Sequence, residues 1–157
     1  MQRLPMAMPS LALLAAIALS GPAAHGQSMT TYLPGTIQWV DAPAALRPGA
    51  MMAVVKGDPT QTGLFTMRLR FPANYRVDPH WHTADEHITV ISGALFLGMG
   101  ETFDRAKGKQ LPAGTFNWMT AGTRHFAWTE QETEIQLHGL GPWIVNYVNP
   151  ADDPRRQ

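Results

Sequence analysis

From residue 37 onward the chain alternates short apolar runs with turn residues. The cleanest run sets Phe65, Met67, Leu69 and Phe71 against Thr66, Arg68 and Arg70. A period of two places one set on a buried face and the other on an exposed face, so 65–71 predicts a half-buried strand. Pro72 has no N–H to give to a ladder and ends it. Comparable runs predict strands at 37–40, 51–56, 87–92, 94–97, 115–119, 124–129, 133–140 and 143–148. The breaks between them carry Gly57-Asp58-Pro59, Gly93, Pro112-Ala113-Gly114 and Ala121-Gly122, the residues that turns require. Segment 42–49 reads as a loop with one helical turn at most, and 101–107 is a short helix candidate. About eight to ten strands at roughly ten-residue spacing predict an all-β sandwich or barrel. The polar tail at 149–157 predicts a surface strap or a frayed end.

The first 26 residues follow another rule. Arg3 precedes an apolar run at 11–19, Ser20-Gly21-Pro22 breaks it, and Ala24-His25-Gly26 offers small residues at a cleavage site. This order is that of a secretory signal. The nine apolar residues of 11–19 fall far short of the ~20 that span a bilayer. The expectation is a signal at 1–26, export by the general route to the periplasm or outside the cell, and no membrane association after cleavage. Residues 27–157 then form a single domain, with a barrel core at about 50–148.

Composition removes whole classes of function. Twelve basic and twelve acidic residues give zero net charge, which excludes a global attraction to nucleic acid or anionic lipid. There is no cysteine, so disulfides, thiolate catalysis and cysteine zinc sites are excluded. Apolar residues at 45% exclude disorder by low hydrophobicity. No phosphate loop, serine nucleophile elbow or dinucleotide glycine pattern is present. Methionines outside the signal are scattered over strand-like runs and read as core fillers.

Chemistry concentrates in Pro79-His80-Trp81-His82-Thr83-Ala84-Asp85-Glu86. On a strand, residues i and i+2 share a face, so His80 and His82 point the same way. Glu86 follows a bend and can return a carboxylate to the same centre, and His125 on a separate strand offers a third imidazole. Imidazole with carboxylate suits divalent Fe, Mn, Ni, Cu or Zn. If the ion is six-coordinate, positions stay open for a ligand, which points to catalysis or capture.

The spacing of His80, His82, Glu86 and Gly93, followed by that of Gly114, Gly122 and His125, resembles the two motifs of the cupin superfamily. The resemblance covers about 65–143. It implies a double-stranded β-helix, or jelly roll, with a metal held inside by His80, His82, Glu86 and His125. The chain departs from the motifs at Asn74, where a glycine is usual, at Thr120 in place of proline, and at Thr129 in place of asparagine. These departures bear on turn geometry and leave the ligand set intact. The ending Gln136-x-His138-Gly139-x-Gly141-Pro142-Trp143 looks like that of small secreted single-domain cupins.

Phase arguments place the remaining residues. His87 falls on the face opposite Glu86. Gln136 and His138 share one face of their strand; inside the barrel they would touch substrate or support the metal ligands, outside they would be surface residues, and both readings stand. Trp81, Phe126 and Trp128 are expected to face outward and to need cover, from segment 32–45 or from a second subunit in a homodimer. The function expected is a metal-dependent, dioxygenase-like enzyme acting on a small oxygenated organic molecule. The alternatives are a non-catalytic binding module for a small molecule or metal, or a non-redox isomerase or decarboxylase.

Overall fold

The period-two run at 65–71 lies in a strand, Gly63–Phe71 (β3), in which Phe65, Met67, Leu69 and Phe71 are buried and the residues between them are not. The structure is a computed structural model that describes residues 28–33 and 35–156. The chain divides into two units, Met1–Thr31 and Tyr32–Gln157; all of the following concerns the second. The expected signal at 1–26 lies outside the described residues. Among the described residues, no helix is long and apolar enough to cross a membrane.

The other strands are Val40–Asp41 (β1), Met51–Lys56 (β2), Arg76–Trp81 (β4), Glu86–Ser92 (β5), Ala94–Met99 (β6), Gly108–Pro112 (β7), Phe116–Met119 (β8), His125–Thr129 (β9), Thr133–Gly141 (β10) and Asn146–Tyr147 (β11). They form a six-stranded sheet in the order β1-β2-β3-β10-β5-β8 and a five-stranded sheet in the order β11-β4-β9-β6-β7. From β3 onward successive strands alternate between the two sheets, apart from the β6–β7 hairpin, as in a jelly roll, and the fold is all-β as expected. The helix candidate at 101–107 shrinks to one 3-10 turn, Arg105–Lys107. β7 had no counterpart among the predicted strands: Gly108-Lys109-Gln110 is too polar to register as one. The tail at 149–156 is a docked strap, since Arg155 Nη2 donates to the Val145 carbonyl at 3.0 Å.

The core lies between the sheets and joins Phe65, Met67, Leu69 and Phe71 to Ile88 and Val90 of β5, Leu95 of β6 and Ile135 and Leu137 of β10. Burying such side chains contributes roughly 1.5–3 kcal/mol each. Loop 42–49 closes one end by inserting Leu46, 6% exposed. Three bonds hold that loop. Arg47 pairs with Asp78 at 2.5 Å, and the Tyr75 and Tyr147 hydroxyls donate to the carbonyls of Arg47 and Ala45 at 2.5 and 2.7 Å.

The outward aromatics are covered differently from the expectation. Phe126 and Trp128 are 0% and 3% exposed. Their cover is the β6–β7 connection: the Phe103 ring packs on both at 5.1 and 5.6 Å, and Phe96 stacks on Trp128 at 5.0 Å. The N-terminal segment lies instead on the six-stranded sheet, where Trp39 receives the Arg70 guanidinium at 4.1 Å. These rings therefore give no reason to invoke a second subunit. Trp81 is half-buried.

Two motif departures meet at one place. Asn74 holds φ = 60°, the left-handed region that asparagine tolerates better than most side chains. Its turn is clamped by Thr129, whose hydroxyl donates to the Pro72 carbonyl at 2.7 Å and accepts from the Tyr75 N–H at 3.2 Å.

Candidate metal centre

The histidines converge because of a defect in β4. Val77 and His80, three positions apart, both line the barrel interior, which strict alternation forbids. The β4–β9 register slips between Val77 and His80, at Pro79, which cannot donate to the ladder. Beyond the slip, His80 stands directly opposite His125, and His82 follows on the same side just past the strand. Glu86 opens β5 after the bend at 83–84.

One nitrogen from each of His80, His82 and His125 lies within 4.8 Å of the other two, close enough for a single ion to draw all three into its shell at ~2.0–2.2 Å from each. The Glu86 carboxylate sits 3.4 Å from the Nε2 atoms of His82 and His125. All four side chains are 3–6% exposed. His82 Nε2 and Glu86 Oε2 are buried without a hydrogen-bond partner, so the site holds buried polar atoms that the protein itself does not satisfy. A bound cation would satisfy both.

The rings are held from behind. The Nδ1 atoms of His80, His82 and His125 donate to the carbonyls of Asp78, Ile144 and Thr123, at 2.7, 2.9 and 3.0 Å. These bonds fix the tautomer and aim Nε2 at the shared point, the support that metal-bound histidines require. Trp143 stacks on His82 at 5.4 Å. Asp78, beneath His80, is a buried acid paired with both Arg47 and Arg76. A charged residue inside a β-strand sequence was the available signal for this support, and sequence reasoning passed over it.

Burial holds His80 well below the ordinary imidazole range, reinforced by His125 and His82. Burial also lowers His82, partly opposed by Glu86. Burial alone would raise Glu86, but attraction to His82 and His125 outweighs it and holds the carboxyl at about 2. Burial would depress His125 too, yet its contact with Glu86 prevails and raises it. Near neutral pH, Glu86 is therefore an anion, His80 and His82 are neutral donors, and His125 is the imidazole that retains a proton most strongly. The donor set fits a divalent ion in charge and chemistry.

Gln136 and His138 do not belong to this centre. β10 buries Ile135 and Leu137 and turns Gln136 and His138 to the opposite face. Gln136 accepts from Arg68 Nε at 3.3 Å, and His138 stacks on His87 at 4.9 Å. Both readings were open because alternation gives two faces without saying which is inside; the outer one holds here.

Beside the cluster lies a cavity of about 40 Å³, walled by Val77, Ile88, Leu95, Leu137, Trp143 and Val145 among others. One water needs ~10–15 Å³ on this measure, so the cavity admits a few heavy atoms at most. Apart from His80, Glu86 and His125 its lining is apolar.

The ChrR cupin-like domain family matches residues 27–144. No curated protein matches. Among solved structures, the polyketide cyclase RemF from Streptomyces resistomycificus is similar, with TM-score 0.65 and 17% identity over 81% of this chain and 90% of that one. An acetylacetone dioxygenase from Acinetobacter johnsonii gives TM-score 0.61 and 16% identity over 82% and 83% of the two chains. KdgF from Halomonas sp. gives 0.54 and 20% over 71% and 94%. At these identities the likeness is one of fold.

Proposed function

The chain belongs to the ChrR cupin-like domain family, and on that premise we propose that it is an exported, metal-dependent enzyme that performs dioxygenase-like chemistry on a small oxygenated organic molecule. The carrying observation is the convergence of three carbonyl-anchored imidazoles and a buried carboxylate on one point. His80, His82 and His125 would hold the ion, and Glu86 would complete or gate its shell. A divalent Fe, Mn, Ni, Cu or Zn ion supplies Lewis acidity and a template for substrate oxygen atoms, and Fe adds redox chemistry with dioxygen. The protein's own part is to orient the imidazoles, to keep one negative charge beside them and to exclude bulk water with an apolar wall. The acetylacetone dioxygenase among the similar folds supports the choice of oxidative chemistry on a small molecule, and the segment 1–26 supports export.

A second reading, a binding module without turnover, is favoured by the small size of the cavity. Metal analysis of the protein purified from its export compartment tests both. Near-stoichiometric metal is expected in the wild type and its loss in His80→Ala/His82→Ala. Iron together with oxygen uptake on small diketones or phenols supports the enzyme. Bound metal without turnover supports the binding module, and a metal-free wild type overturns both metal readings.

A further inference from the structure

The two sheets part along one seam. β8 is the edge of the six-stranded sheet and β7 the edge of the five-stranded one, and no ladder joins them among the described residues. A cleft of about 380 Å³ opens there. That is nearly ten times the 40 Å³ of the inner cavity and within the ~300–1,000 Å³ usual for small-molecule sites.

Alternation shows what faces it. On β7, Leu111 is buried and Gln110 is not, so Lys109 shares the inward phase of Leu111. Lys109 also pairs in register with inward-facing Leu97. Its ammonium makes no ion pair or hydrogen bond among the described residues. On β8, Asn117 shares a face with buried Met119, and its Nδ2 is buried with no hydrogen-bond partner. Both side chains line the cleft, and its apolar wall comes from Leu97, Leu111, Met99 and Met119. A cation and an unsatisfied amide donor, set in an apolar wall, both ask for an acceptor, and the cation asks for a charged one.

We propose that this seam binds a small carboxylate with an apolar body, its oxygens on Lys109 and Asn117 and its body against Leu97 and the two methionines. Leu97 also walls the inner cavity. Met119 stands opposite Glu86, and Asn117 opposite Ile88, so a ligand here lies against the wall of the metal centre. As a substrate site the cleft rests on the function proposed above; as a carboxylate site it does not, and the experiment separates the two.

Benzoate is titrated into EDTA-dialysed protein while the Asn117 side-chain amide is followed by NMR, with benzyl alcohol as the uncharged control. Saturable shifts at Asn117 are expected, with benzoate binding at least about tenfold more tightly than the alcohol, as a charge-assisted contact implies. Lys109→Met, at an exposed edge position, should erase that preference. Asn117→Leu should weaken both ligands. Neither variant should alter the metal content of protein purified without EDTA. Shifts that do not saturate, or a preference that survives Lys109→Met, overturn the proposal. Benzoate binding that appears only in metal-loaded protein and vanishes in His80→Ala/His82→Ala places the carboxylate on the metal and also overturns it. Loss of the metal reading alone would show as a metal-free wild type that still binds benzoate at Asn117.

Discussion

Glu86 and His125 make the candidate centre a pH-sensitive element in the metal-free protein. The Glu86 carboxyl is held at about 2, so its stabilisation is present above the unfolded value near 4.5 and lost as pH falls through 2. His125 is raised, so its contribution is present below the unfolded value near 6.5 and lost as pH rises through the folded one. Burial-lowered His80 and His82 act in the opposite sense, their cost falling away as pH rises to about 6.5, so the His125 contribution stands alone above that pH: there, thermal unfolding of EDTA-treated protein should show a decline in stability, and Glu86→Gln should flatten it. Metal must displace the His125 proton. Zinc affinity should accordingly rise with pH until that imidazole is neutral and then level off, and calorimetry in buffers of different ionisation enthalpy should detect the released proton. The four residues were legible because His80 and His82 are spaced for one face and the motif spacing supplied Glu86 and His125. Gln136 and His138 were not, because periodicity separates two faces of β10 without naming the inner one. Lys109 and Asn117 carried no spacing signal; only the parting of the sheets shows them.

At the level of elements, the chain tolerates motif departures by moving their chemistry to other side chains. Thr129 does with one hydroxyl what binds the Pro72–Tyr75 turn to β9. Thr129→Val keeps the shape, removes both bonds and leaves a buried donor unsatisfied; a loss of about 1–3 kcal/mol is expected by denaturant unfolding. The outer aromatics rest on bare backbone. A Cβ on Gly98 would stand 2.3 Å from the Phe126 ring, so Gly98→Ala must shift a fully buried ring and should lower the melting temperature measurably. β3, with its clean alternation, and β2, an apolar run stopped by Gly57-Asp58-Pro59, were readable nearly to the residue. The polar β7 was not. Nor was the slip at Pro79, since a bulge shows only in pairing, and pairing is a property of two strands.

Taken whole, the barrel is closed by its own chain at one end and open along one side. Loop 42–49 plugs the end with Leu46, latched through Asp78, the residue whose carbonyl also anchors His80. The outer rings that predicted a partner are capped by Phe103, so an all-β jelly roll was foreseeable while its surface was not. The His82 bond to Ile144 spans 62 residues of sequence and ties the candidate centre to the C-terminal arm, whose Val148 N–H in turn donates to the Pro79 carbonyl at 2.9 Å. Occupancy of the centre should consequently be audible at a distance. Amides of 143–148 should exchange with deuterium more slowly once zinc is added, and should lose that protection in His82→Ala, making the end of the chain a reporter for an event at its heart.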